Sequence, residues 1–199
     1  LIDCSENINK ENKIYNMMII CGLTEAVTTL GIPYSVSIIG DVGTTKTIKP
    51  FSENHSNDTL QKICDCYLIK RNRPDLPGCL RCAIDQMGYP EGSRENRMII
   101  TFTDGLDENL ITIKQWSDIF KPKNLSFGFV FIKSAELPKE KQEFLEKVWN
   151  EFENDSKQKN PAISVAKIFD NNNNNFKNND VTGNINSLTT LFRSSINGN

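Results

Sequence analysis

Apolar positions recur along this chain with two periods, and the alternation between them outlines the fold. A short apolar start, Leu1-Ile2, reads as the end of a buried strand and runs into Asp3-Cys4-Ser5-Glu6-Asn7. From Lys13 to Leu30 the apolar residues Ile19, Ile20, Leu23, Val27 and Leu30 fit the helical period, and Gly31 followed by Pro33 stops that helix. Tyr34 to Ile39 is predicted as a strand, with a turn at Gly40-Asp41-Val42-Gly43. Lys46 to Phe51 follows as a strand at the sheet edge, because Pro50 has no N–H to give to a ladder. Asp58 to Tyr67 is predicted helical, with Asn57 or Asp58 as its cap. A polar loop from Lys70 to Pro77 leads to a helix over Gly78 to Met87.

The second half continues the alternation. Arg97 to Thr103 is almost wholly apolar, as expected of a strand covered on both faces. Helices are predicted over Asn109 to Phe120 and Pro138 to Phe152, the latter turning Phe144, Leu145, Val148 and Trp149 inward. Strands are predicted over Leu125 to Ile132 and Ile163 to Phe169. Residues 170–182, with Asn171 to Asn175 in an unbroken row, have the composition of a mobile loop, and Ser187 to Ser194 closes the chain as a short helix. Strands alternating with helices imply an α/β fold. The expected form is a doubly wound, mainly parallel six-stranded sheet with one antiparallel edge strand and helices on both faces, in a single domain over residues 1–199. The first strand begins abruptly at Leu1, so the sequence reads as a piece of a longer polypeptide.

Composition narrows the function classes. A net charge of -2 supplies no electrostatic footprint for nucleic acid. No apolar run approaches the roughly 20 residues that span a bilayer. The six cysteines (Cys4, Cys21, Cys64, Cys66, Cys79 and Cys82) mostly fall in apolar, regular segments, where a free thiol behaves as a small buried hydrophobe. A chain of this length folds without staples, so a reducing, intracellular setting is expected. Four Asn-x-Ser/Thr sequences, at Asn54, Asn57, Asn124 and Asn154, are what chance supplies in so Asn-rich a chain.

Candidate chemistry gathers at two strand ends. Asp3 with Ser5 and Asn7 follows the first strand, and Asp104-Gly105 follows Arg97 to Thr103. In parallel α/β sheets the carboxyl ends of the strands meet at a crevice where ligands bind. Carboxylate, hydroxyl and amide oxygens together there are the donor set of a hard divalent cation. Taken alone, Asp3 and Ser5 would serve as turn formers, but the partner pair at Asp104 favours the site. Asp107 and Glu108 suit the positive start of the next helix. Cys64-x-Cys66 and Cys79-x-x-Cys82 are loosely zinc-like or redox-like, but in helices with apolar neighbours they read as core. His55, the only histidine, lies in a polar stretch and is expected at the surface with no catalytic set around it. Gly43-Thr44-Thr45-Lys46-Thr47 lacks the upstream glycine and following helix of a phosphate loop. Lys70-Arg71-Asn72-Arg73 is a solvated basic run able to steer an acidic partner.

These motifs, in this order, resemble the von Willebrand factor A domain, and the resemblance covers essentially the whole chain. That family's Asp-x-Ser-x-Ser strand end is matched by Asp3-Cys4-Ser5-Glu6-Asn7, with Asn7 in place of the second Ser, and its later Asp-Gly by Asp104-Gly105. Its Thr ligand, from the loop before the third helix, has no counterpart here. The nearest oxygen in that loop belongs to Asp75. The resemblance implies a Mg²⁺ site formed by Asp3, Ser5, Asn7, Asp75 and Asp104. It also implies a non-enzymatic module that captures a protein partner through an acidic side chain. Loops at Glu6 to Asn12, Arg71 to Leu76 and Leu106 to Asn109 would make the contact. A third carboxylate strengthens cation binding but lowers the positive charge left to attract an acidic partner. Two outcomes therefore stay open: a working site, or a degenerate one in a structural domain of a larger assembly. A thiol enzyme using Cys79 and Cys82, or a metal-assisted hydrolase, has less support.

Overall fold

The computed structural model describes residues 1–4, 10–40, 45–68, 75–88, 97–103, 125–133 and 163–169, together with 138–140, 143–144, 146–147, 149–151 and 154. These form a mixed α/β molecule of two compact units, Leu1–Ala83 and Ile84–Asn199.

In the first unit, the chain pairs immediately. The Ile2 N–H donates to the Ser37 carbonyl at 2.9 Å, and the Ile39 N–H donates to the Ile2 carbonyl at 2.9 Å. Ile2 thereby lies parallel to β1 (Val36–Ile39), all four of whose residues are buried. β1 pairs antiparallel with β2 (Thr45–Lys49), and a one-residue irregularity falls between Val36 and Ser37. β2 keeps Lys46 and Thr47 exposed, and an exposed lysine on a strand resists pairing with other chains. The phosphate-loop echo at Gly43 to Thr47 thus ends in a strand, not a helix.

Two helices cover this part. α1 (Lys10–Thr29) begins three residues earlier than its apolar period predicts, so Lys10 to Asn12 belong to a helix and not to a contact loop. Gly31 ends it as expected, at φ 69, the left-handed region that glycine enters without a Cβ clash. The Gly31 N–H donates to the Thr28 carbonyl and the Ile32 N–H to the Val27 carbonyl, the paired bonds of a Schellman closure. Leu30, expected inward, is exposed within that closure. α2 (Asn57–Cys66) is capped by Ser56 and not by Asn57 or Asp58. The Ser56 hydroxyl accepts from the Thr59 N–H, and the Thr59 hydroxyl accepts from the Ser56 N–H. Two otherwise unpaired amides are satisfied in this way. α1 packs on α2, and α2 on β2. α3 (Leu76–Met87) starts two residues before the predicted Gly78.

In the second unit, β3 (Arg97–Thr103), β4 (Leu125–Lys133) and β5 (Ile163–Phe169) form a parallel sheet in the order β3-β4-β5. Their limits match the predicted strands to within a residue. Alternate residues Phe127, Phe129 and Phe131 are fully buried, as the two-residue strand period requires. The described residues between 139 and 154 are helical. Trp149 is buried there, its ring stacked on Phe131 at 5.1 Å between centroids. Phe144, expected beside it in the core, is 59% exposed. Leu145 and Val148 lie outside the described side chains, and the predicted helices at 109–120 and 187–194 and the Asn-rich stretch 170–182 lie outside the described residues. Arg97 Nη1 donates to the Met87 carbonyl at 2.9 Å and to the Gly88 carbonyl, which closes the end of α3. Among the described residues no helix is long and apolar enough to cross a membrane.

Candidate metal centre at the strand ends

Asp3 directly follows the paired Ile2, so it stands at the carboxyl end of the first parallel pair, as the strand reading of Leu1-Ile2 requires. It is only 4% exposed. The neighbouring strand, β1, ends at Ile39, and the carbonyl of the next residue, Gly40, becomes a small hub. The Asp75 N–H donates to it at 3.4 Å and the Cys79 thiol donates to it at 3.6 Å. This ties the start of α3 to the end of β1.

Asp75 itself is the cap of α3. Its Oδ1 accepts from the Gly78 N–H at 3.0 Å, and its carbonyl accepts from the Cys79 N–H at 3.0 Å. Capping occupies one lone pair and leaves the carboxylate able to accept elsewhere. The Asp3 and Asp75 carboxylates both act on the Cys79 thiol. Burial is the chief force raising that thiol, the Gly40 contact opposes it, and Asp75 and Asp3 add repulsion, which brings it to about 11. Of the five expected metal ligands, Asp3 thus follows the bridge residue Ile2, and Asp75 is tied to Gly40 just past the end of the neighbouring strand β1. Ser5, Asn7 and Asp104 lie outside the described residues, as does the basic run at 70–73. Among the described residues no three His, Cys, Asp or Glu side chains converge to hold an ion.

Carboxylate oxygens such as those of Asp3 and Asp75 are of the type a hard cation takes. Two deeply buried polar side chains, Asn16 of α1 and Tyr67 at the end of α2, are 1% and 6% exposed. The Asn16 amide nitrogen and oxygen and the Tyr67 hydroxyl have no hydrogen-bond partner among the described residues. A buried polar atom without a partner costs about 1–3 kcal/mol. Sequence reasoning passed over both residues. The available signal was Asn16 itself, which stands with Ile20 and Thr24 at four-residue spacing on the inward ridge of α1, where an apolar residue is expected.

The cysteines are all free. Cys4, Cys66 and Cys79 are buried, and Cys21, Cys64 and Cys82 are half-buried. Cys4 is pushed far up, first by its contact with Cys66 and then by burial. A nucleophilic thiol needs the opposite shift. Cys79 and Cys82 instead make neutral contacts, the latter with the Thr45 hydroxyl at 3.3 Å.

His55 departs from expectation. Its side chain is 12% exposed and bridges two elements. Nε2 lies 3.0 Å from Glu25 Oε1, and Nδ1 meets the Tyr34 hydroxyl. Glu25 can only accept, so Nε2 donates to it. Lys49, 3% exposed, lies 4.1 Å from the Tyr34 ring centroid and donates to the Tyr34 and Pro50 carbonyls. This cluster sits before β1, whereas Asp3 sits at its far end, and it reads as a clasp between the end of α1 and the start of α2.

No family model matches the sequence, and no curated protein matches it. Among solved structures, the chain is similar to the crystal structure of the conserved hypothetical protein BatB from Bacteroides thetaiotaomicron. The TM-score is 0.51 at 14% identity, with 96% of each chain covered. At that identity the likeness concerns the fold alone.

Proposed function

We propose that the chain is a non-enzymatic protein-interaction module of the von Willebrand factor A type, with its strands in one doubly wound six-stranded sheet. It binds a partner at the carboxyl-end face of that sheet. The observation that carries the reading is the position of Asp3 just after the bridge to β1, with Asp75 bonded to Gly40 just past the end of β1. The end-to-end fold likeness supports the frame. Asp3, Ser5, Asn7, Asp75 and Asp104 would hold a Mg²⁺. When bound, Mg²⁺ offers a position at which a partner's carboxylate can replace a water. The protein's own residues do the rest. Asp3 supplies a buried charge, and Asp75 fixes the start of α3 against the strand end while keeping a second oxygen to offer. Six free thiols suit work inside the cell, where they stay reduced.

The engagement of Asp75 in the helix cap favours the second reading, a structural domain with a degenerate site. Capture of an acidic peptide by the intact chain separates the two. Capture that needs Mg²⁺, disappears in chelator and is lost in Asp104→Ala supports the metal-dependent module. Capture indifferent to both leaves the docking to other surfaces.

A further inference from the structure

We infer that Cys79 and Cys82 form a redox-sensitive clasp, in which the two reduced thiols hold one end of the β1–β2 pair against α3 and a hydroperoxide joins them into a disulfide that lets it go. The inference stands apart from the cation reading. Both residues lie in α3, three positions apart. At that spacing helix geometry sets the Cα atoms about 5 Å apart, inside the range of about 4.4–6.8 Å that a disulfide bridges. Each sulfur meets a different side of the strand pair. The Cys79 thiol donates to the Gly40 carbonyl at 3.6 Å, just past the end of β1, and the Cys82 sulfur lies 3.3 Å from the Thr45 hydroxyl at the start of β2. Ile39 and Thr45 are register partners, so both contacts close on the same end of the pair. Cys82 is also among the groups whose charge acts on the Cys79 thiol.

Cys79 is fully buried and Cys82 half-buried, so the oxidant meets Cys82 first. With hydrogen peroxide, the Cys82 sulfur takes one oxygen as a sulfenic acid and the other leaves as water. The Cys79 sulfur then displaces the sulfenic oxygen, which leaves with the Cys79 proton as a second water. The two thiols lose two hydrogens and two electrons, and the peroxide O–O bond takes them up. Neither sulfur of a disulfide carries a hydrogen, so oxidation ends the donation to Gly40 and leaves Thr45 only a weak sulfur acceptor. Gly40 also receives the Asp75 N–H, so the release loosens the strand end at which Asp75 sits. Side chains three apart on a helix start with Cβ atoms about 5–6 Å apart, wider than the roughly 3.5–4.5 Å of a relaxed disulfide. The bond therefore strains the turn, and a dithiol reverses it readily.

The experiment treats the intact, folded chain with hydrogen peroxide and reads peptide masses and amide hydrogen exchange over residues 36–49. Trypsin cuts at Arg81, between the two cysteines, so their disulfide is recovered as a joined pair of peptides. The expected result is the loss of two of the six thiols, with Cys79 joined to Cys82 and faster exchange over 36–49. Dithiothreitol should restore both readouts. Cys82→Ser, which keeps a hydroxyl for Thr45, should show neither change. Peroxide treatment that leaves Cys79 and Cys82 unjoined overturns the inference. So does a disulfide that leaves exchange unaltered, or faster exchange that Cys82→Ser shows as well. If Cys82→Ser does not fold, the wild-type chain before and after dithiothreitol decides alone. Neither readout involves a metal, so failure here leaves the cation reading standing.

Discussion

Thiol protonation is the property of single residues that bears most directly on the pH dependence of stability. Cys79 and Cys21 ionise near 9 in the unfolded chain and are pushed up to about 11 in the folded one, chiefly by burial. Between these values the unfolded state has released protons that the folded state retains. Stability is therefore full below pH 9 and falls as pH rises toward 11. The urea midpoint should decline over that window, and Cys21→Ala with Cys79→Ala should flatten the decline. A midpoint flat to pH 11 would contradict the burial assigned to these thiols. Asp75 and His55 show what sequence could and could not supply at this scale. Asp75 was legible as an oxygen donor before a helix, but not as that helix's cap, because the helix start itself was placed two residues late. His55 looked like a surface residue because its partners, Glu25 and Tyr34, lie 30 and 21 positions away. A local reading of polarity does not see hydrogen bonds formed across such separations.

Elements were legible wherever hydrophobic period and chain punctuation agreed. β3 and β5 have their predicted limits, and α1 stops where Gly31 said it would. Capping was harder to read, because Ser56, Asn57 and Asp58 are three adjacent competent caps and only backbone conformation chooses among them. Ser56 takes the extended conformation, with φ -156 and ψ 168, and closes a reciprocal box with Thr59. Ser56→Ala should accordingly destabilise the chain by about 1 kcal/mol, measured by chemical unfolding. Asn57→Ala, inside the first turn, should cost less. The reverse order would place the cap elsewhere. Amphipathic reading also failed in one half of one helix: Trp149 is stacked in the core, whereas Phe144 is exposed. Both fit an inward stripe on paper, but one side chain covers only part of the sheet face, and the large indole takes it. Trp149→Ala should cost about 3–5 kcal/mol in stability, with Phe144→Ala nearly silent by the same assay.

Across the whole molecule, the class of fold was readable and the joining of its parts was not. The alternation of strands and helices yielded parallel pairing in β3-β4-β5 and at Ile2, with the antiparallel β1–β2 pair at the expected place. At the candidate site, the strand-end position of Asp3 could be read from the residues that follow an apolar run, but the bond from Asp75 to Gly40 could not, because it joins residues far apart in the chain. The central claim is that this strand end holds a divalent cation, and thermal unfolding of the intact chain with millimolar Mg²⁺ or Mn²⁺ against EDTA tests it most directly. A ligand that binds only the folded state stabilises it by about 2.7 kcal/mol at a hundredfold excess over its dissociation constant. The account predicts a metal-dependent rise in unfolding temperature that Asp3→Asn, which keeps the shape and removes the charge, abolishes. An unfolding temperature indifferent to metal in the wild-type chain, or a rise that Asp3→Asn leaves intact, would contradict it.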